Sequence, residues 1–220
     1  MTNELKKQIA LFYRSDEDLE ERMKELATVF LYGGYINVRD QYHIYLRIVE
    51  FYYHEEDGDV KDLIMYHRNN YTVAGKIPYF KCLSFNSHDT GVDITFENEQ
   101  KKIRASVLIR AYEVLDVKNK KWLFWNTEKQ QFQVNEEGRK LLYNTQSMYV
   151  KKFLNGFASE SKPDIYWMDV PYMEEINDAD ISSIKRQGVY ISSSKEMYKP
   201  DKTKIDKRLW GFRREKDIAL

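Results

Sequence analysis

YHIYLRIVEFYY at residues 42–53 and IRASVLIRAYEVL at residues 103–115 are the two stretches whose reading decides the fold. Both are dense in β-branched and aromatic side chains, the composition of a half-buried strand. In the first, Tyr42, Ile44, Leu46 and Ile48 share one face, and His43, Tyr45, Arg47 and Val49 take the other. Continued alternation puts Glu50 and Tyr52 on the apolar side. A carboxylate there costs several kcal/mol to bury charged unless it is paired or opens onto a cleft. Glu50 is therefore a candidate site residue, with a strand end or bulge that lets it meet water as the alternative. In the second stretch Arg110 interrupts an apolar run, and a guanidinium in a central strand requires carboxylate, phosphate or a path to solvent.

Outward from these strands, Ser15 is expected to cap a helix carrying Leu19, Met23, Leu26 and Phe30 at helical spacing, with Gly33-Gly34 ending it. Arg39-Asp40-Gln41 reads as the turn between strands 35–38 and 42–53. Residues 54–84 read as loop with a short helix over 61–68. Strands are expected at 91–96, 104–114 and 122–126, a helix at 146–154, a strand between Pro163 and Pro171, and a meander over 188–212. No repeat or linker interrupts the 220 residues. The expectation is one α+β domain, a mixed, mainly antiparallel curved sheet with peripheral helices.

Thirty-five basic and 35 acidic side chains give a net charge of zero, which argues against bulk attraction to nucleic acid but leaves room for a local patch. Such a patch is expected in residues 195–216, which carry nine Lys/Arg, Arg208 and Arg213 among them, against four acids. The 17 Tyr, 11 Phe and 4 Trp form either thick packing or a stacking surface for bases or peptides. No apolar run is long enough to span a bilayer, and the first residues lack a signal-peptide core, so a cytosolic protein is expected. The single cysteine, Cys82, fits a reducing compartment.

Cofactor and metal chemistry find little support. The glycines form neither a dinucleotide fingerprint nor a phosphate loop. His43, His54, His67 and His88 never fall at the i, i+4 spacing of a helical zinc site, so neither cofactor nor metal is expected. Hydrolysis by carboxylates alone remains open.

Four segments in order resemble the alkyladenine (3-methyladenine) DNA glycosylases: Leu26-Ala27-Thr28-Val29-Phe30-Leu31, Arg47-Ile48-Val49-Glu50, Ala105 to Leu115, and the closing Arg186-Gln187-Gly188-Val189 with Lys207 to Arg213. The resemblance covers about residues 20–215. It implies a formyltransferase C-terminal-domain-like sheet, double-stranded DNA as partner, and a monomer that flips a damaged purine and hydrolyses its glycosidic bond. It places the family's water-activating Glu at Tyr52, its stacking Tyr at His54, its pocket His at His67 and its strand Arg at Arg110. The wedge Tyr falls on Thr90 and the pocket Asn on Glu97. Tyrosine is a poor base at neutral pH. Glu50 or Glu97, with Asp93 on the strand face of Glu97, is then the substitute, or these carboxylates pair with Arg110 or Arg47 as structural ion pairs. The readings are a base-excision enzyme with a substituted base, or a non-catalytic relative that binds nucleic acid or a protein partner.

Overall fold

The computed structural model describes residues 4–65, 78–88, 91–129, 131–143, 165–170, 176–193 and 199–217. Two helices, α1 (Glu4–Phe12) and α2 (Leu19–Tyr32), precede the strands. These are β1 (Gly34–Val38), β2 (Tyr42–Glu55), β3 (Ser84–His88), β4 (Gly91–Thr95), β5 (Ile103–Asp116), β6 (Lys121–Asn126) and β7 (Gln131–Val134). There follow β8 (Leu142–Tyr143), β9 (Ile165–Asp169), β10 (Ile181–Ile184), β11 (Tyr190–Ser192), β12 (Pro200–Ile205) and β13 (Gly211–Arg214). The class is α+β, with every described strand pair antiparallel.

The two stretches that decide the fold become the central ladder, β2 against β5, and the other strands add at its two ends. At one end the order is β7-β6-β5-β2-β1-β9; at the other it is β10-β13-β2-β5-β4-β3. β8 pairs β5 at Ala111 and Tyr112, and β11-β12 form a separate ribbon.

Between the two ends the ladder slips. Leu46 faces Tyr112, Ile48 faces Ala111 and Val49 faces Ile109, so Arg47 on β2 and Arg110 on β5 are each one residue extra. The two bulges cancel in register, but each reverses which parity of its strand meets the core. Ile44, Leu46, Tyr112 and Val114 lie in the core before the slip, and Val49, Phe51, Tyr53, Ala105, Val107 and Ile109 after it. The expected alternation therefore fails beyond Arg47. Ile48, Glu50 and Tyr52 occupy the face opposite Ile44 and Leu46.

Both helices cover the core face. α1, unforeseen from the sequence, buries Leu5, Ile9 and Phe12 at helical spacing, and Asp169 of β9 accepts the backbone N–H groups of Glu4 and Leu5. α2 buries Met23, Leu26 and Phe30 as expected, but its cap is Asp18, whose carboxylate accepts the Glu20 N–H at 2.8 Å; Ser15 accepts only from Glu17. Gly33 closes the helix with an ordinary φ of −82°. It is Gly34 that has to be glycine, because a Cβ there would lie 2.7 Å from the Trp167 ring and closer still to the Met168 carbonyl oxygen. Residues 61–65 form a turn, not the start of a helix. The helix expected over 146–154 lies outside the described residues.

Candidate functional site

Beyond the bulges, the sheet face turned away from the helices is polar and lies over β2, β5 and β4. Glu50 sits at its centre, 0% exposed. One carboxylate oxygen accepts the Gln187 N–H at 2.7 Å. The other accepts from Arg110 Nη2 at 2.7 Å and from the Tyr52 hydroxyl at 3.2 Å. Arg110, with its side chain 12% exposed, also donates to the Gln187 carbonyl at 3.1 Å. Burial works against its charge, but Tyr52 and Glu50 beside it hold its proton more tightly than usual. Burial, with the Glu50 charge second, pushes the Tyr52 hydroxyl well above the ordinary tyrosine range. Tyr52 thus stays protonated near neutrality, and Glu50 is held by three donors with no exposed surface for a water to approach.

A second ion-pair group lies further along the same face. Arg104 is fully buried, donates to Glu56 at 2.9 Å, to Glu97 at 2.9 Å and to the Pro78 carbonyl at 3.1 Å, and stands 3.7 Å over the Tyr79 ring. Glu97 additionally accepts the Phe80 N–H at 2.6 Å. Asp93 is buried opposite Leu108, which in turn pairs with Glu50 across β2-β5. His54 is buried and accepts the Asp62 N–H at Nδ1, 3.1 Å, so that nitrogen holds a loop in place rather than facing an open pocket.

A third group was not legible in the sequence. Arg186, fully buried, grips both Asp62 oxygens at 2.5 and 3.2 Å and Asp206 at 3.0 Å. It lies 4.7 Å from the Tyr52 ring and 5.0 Å from the Trp210 ring. Arg208 binds Asp206 at 2.6 Å and stacks 3.9 Å over Trp210. Burial works to raise the Asp206 carboxyl, but Arg208 and Arg186 together hold it down at about 2. Segments 61–65, 78–81, 186–190 and 206–210 thereby close over the polar face.

The remaining sequence candidates scatter. Arg213 is exposed and bonded to Glu215 at 2.7 Å. Arg214 is buried on Glu113 at 2.7 Å, where burial pulls its pKa down to about 10. Lys204 pairs with Asp201 at 3.5 Å. Among the described residues, Lys204, Arg208, Arg213 and Arg214 therefore form no common rim beside Arg110, because each is drawn to a carboxylate of its own surroundings. His67 and Thr90 lie outside the described residues.

On the other side of the bulges the same sheet surface is lined by rings. Core residues Ile36, Ile44 and Leu123 alternate with Tyr35, His43, Tyr45, Trp122 and Phe124, which face away from the helices. Tyr35 and His43 stack at 3.8 Å with 24° between their planes, and Tyr45 lies 5.4 Å from Tyr35 and 5.9 Å from Trp122. The Arg139 guanidinium stands 4.8 Å over Trp122, and Lys140 Nζ stands 5.5 Å from Phe124. Burial pushes Tyr45 up to about 12 and draws His43 below its ordinary value. Four cations, Arg47, Arg139, Lys140 and Arg214, meet three carboxylates here, Glu113, Asp217 and the Asp40 beside Tyr35 and His43, a surplus of one.

Comparison with family models, curated proteins and solved structures returned no match for this chain. Among the described residues no helix is long and apolar enough to cross a membrane, and no three His, Cys, Asp or Glu side chains gather as a metal site.

Proposed function

We propose that the protein binds single-stranded nucleic acid on the ring-lined sheet face and that its Glu50 face is structural, in a sheet of the glycosylase, formyltransferase C-terminal-domain-like kind. The architecture draws support from where the four resembling segments fall: on α2, β2, β5 and the strand β13, which pairs Gly211 with Glu50. The observation that carries the binding reading is the row of rings, half-buried at Tyr35, His43, Trp122 and Phe124 around the buried Tyr45, with cations seated on Trp122 and Phe124. Every unstacked base offers a π-face to such a row, and Arg139 and Lys140 beside the rings suit the phosphates between bases. Across β9-β1-β2-β5-β6 the surface spans about 19 Å at ~4.8 Å per strand interval, room for a short run of bases. A duplex keeps its bases stacked on one another, so single strands are the ligand these rings favour.

The test is fluorescence anisotropy with labelled single-stranded DNA and RNA against a duplex of the same sequence, over a salt series. Single strands bind more tightly, affinity falls as salt rises, and Tyr35→Ala and Phe124→Ala each weaken binding about 5- to 100-fold. Equal binding of duplex, or variants that bind like wild type, would overturn the reading.

Base excision is the second reading, favoured by one observation: Glu50 and Arg110 share a face and touch at 2.7 Å, beside the Tyr52 position where the resemblance puts the catalytic base. Under it, Glu50 or Glu97 deprotonates the attacking water. Release of an alkylated or deaminated base by wild type, lost in Glu50→Gln or Glu97→Gln, would establish it.

A further inference from the structure

Beside the Arg186 group, on the opposite flank from Glu50, a half-open groove of about 470 Å³ lies between residues 61–64, β11 and residues 206–208. This is the size of a small-molecule site. Its walls are apolar where Leu63, Ile64, Val189 and Ile191 line it, and Ile191 is 49% exposed. Its charged lining is uneven. Lys61, Lys207 and Arg208 contribute three positive charges and Asp62 and Asp206 two negative ones. Both carboxylates are already gripped from behind by Arg186, so with Arg186 counted the group holds four cations against two anions. Lys61 directs its ammonium to the backbone carbonyls of Glu55 and Glu56 at 2.6 and 2.9 Å, leaving its charge without a carboxylate among the described residues. Arg208, braced flat against Trp210, keeps 32% of its side chain exposed.

We propose that this groove binds a nucleoside monophosphate. A surplus of two positive charges matches the charge of a phosphomonoester near neutral pH. The flat, weakly hydrated body of a base suits walls of Leu63, Ile64, Val189 and Ile191, whereas a phosphosugar would set its hydroxyls against carbon without hydrogen-bond partners. Tyr190 also lines the groove. The Nε and Nη2 edge of Arg208 is held on Asp206 and its Nη1 lies 3.4 Å from the Lys61 carbonyl, so Arg208 offers a phosphate oxygen a remaining Nη1 hydrogen on a braced plane, while Lys207 supplies a mobile point charge at the rim. The site is separate from the ring-lined face and stands or falls independently of it.

Isothermal titration of the full chain with AMP, adenosine and inorganic phosphate tests this. AMP is expected to bind at least about tenfold more tightly than either fragment. Lys207→Glu and Ile191→Asp, both at solvent-facing positions that leave the ion-pair group intact, are each expected to cost AMP about tenfold or more, with circular dichroism spectra unchanged. Adenosine binding as well as AMP would remove the phosphate from the account. AMP binding undiminished in both variants, or no AMP binding up to ~10 mM, would overturn the site. Loss of AMP binding in Lys207→Glu with oligonucleotide binding retained would support the groove as a site apart from the stacking face.

Discussion

Replacing Glu50 by glutamine changes one oxygen to an amide in a fully enclosed position. The carboxylate accepts from Arg110, from the Gln187 backbone and from Tyr52. Glutamine leaves one acceptor oxygen and turns its NH₂ toward a donor, while the Arg110 charge remains with its side chain 12% exposed. Breaking a buried ion pair costs about 3–5 kcal/mol, and the partial exposure of Arg110 places this case near ~3 kcal/mol. With a urea slope near 3 kcal/mol/M, the unfolding midpoint falls by about 1 M. For a chain of this size the melting temperature falls by roughly 6–12 °C. Glu50→Leu/Arg110→Met removes both charges and recovers part of that loss, so the double-mutant cycle shows strong coupling. Urea titrations followed by tryptophan fluorescence measure all four corners. A Glu50→Gln protein as stable as wild type, or more stable, would refute the structural role, since catalytic carboxylates are commonly held at a cost in stability.

Arg104→Met is expected to destabilise by about 3–5 kcal/mol, because it strands the fully buried Glu97 without its guanidinium; thermal melts check this, and a shift under about 3 °C would count against it. Gly34→Ala forces a methyl against Trp167 and the Met168 carbonyl and should cost about 1–3 kcal/mol, read as a lower urea midpoint; wild-type stability would show that β1 and β9 separate freely. Asp206 has a folded pKa of about 2 against an ordinary 3.8, so its contribution is fully present above pH 4 and is lost as pH falls through 2. That amounts to about 2 kcal/mol. Between pH 5 and pH 2 wild type should therefore lose more stability than Asp206→Asn, and parallel pH profiles would contradict the assignment.

Period-bearing elements were the legible part of this fold. α2 announces itself by Leu19, Met23, Leu26 and Phe30, and β2 and β5 by unbroken β-rich runs. What escaped was the pair of bulges, because one extra residue leaves composition untouched while it reverses every following side chain. A signal did exist: an arginine stands in the middle of each strand, Arg47 and Arg110, and the register slips around both. The reversal also moved Glu50 from an apparent core position to the opposite face, where Gln187 and Arg110 enclose it. Arg186 and Asp62 were unreadable as partners across 124 residues. Nor did the strand run 103–115 show that its own Arg104 would pair with Glu97. The tyrosine surplus was visible as composition, but only the β1-β2-β5-β6 register arranged it into a surface. α1 was missed because its nine residues interleave two lysines with a short apolar set.

The Glu50 face is a closed layer of paired charges. The Gln187 amide, which donates to Glu50 at 2.7 Å, reports on it directly through native-state hydrogen exchange. This amide is expected to exchange only through cooperative opening, with protection that drops sharply in Glu50→Gln. Exchange of Gln187 at the rate of an exposed loop in the wild-type protein would mean that the face opens readily to water and would contradict a closed layer.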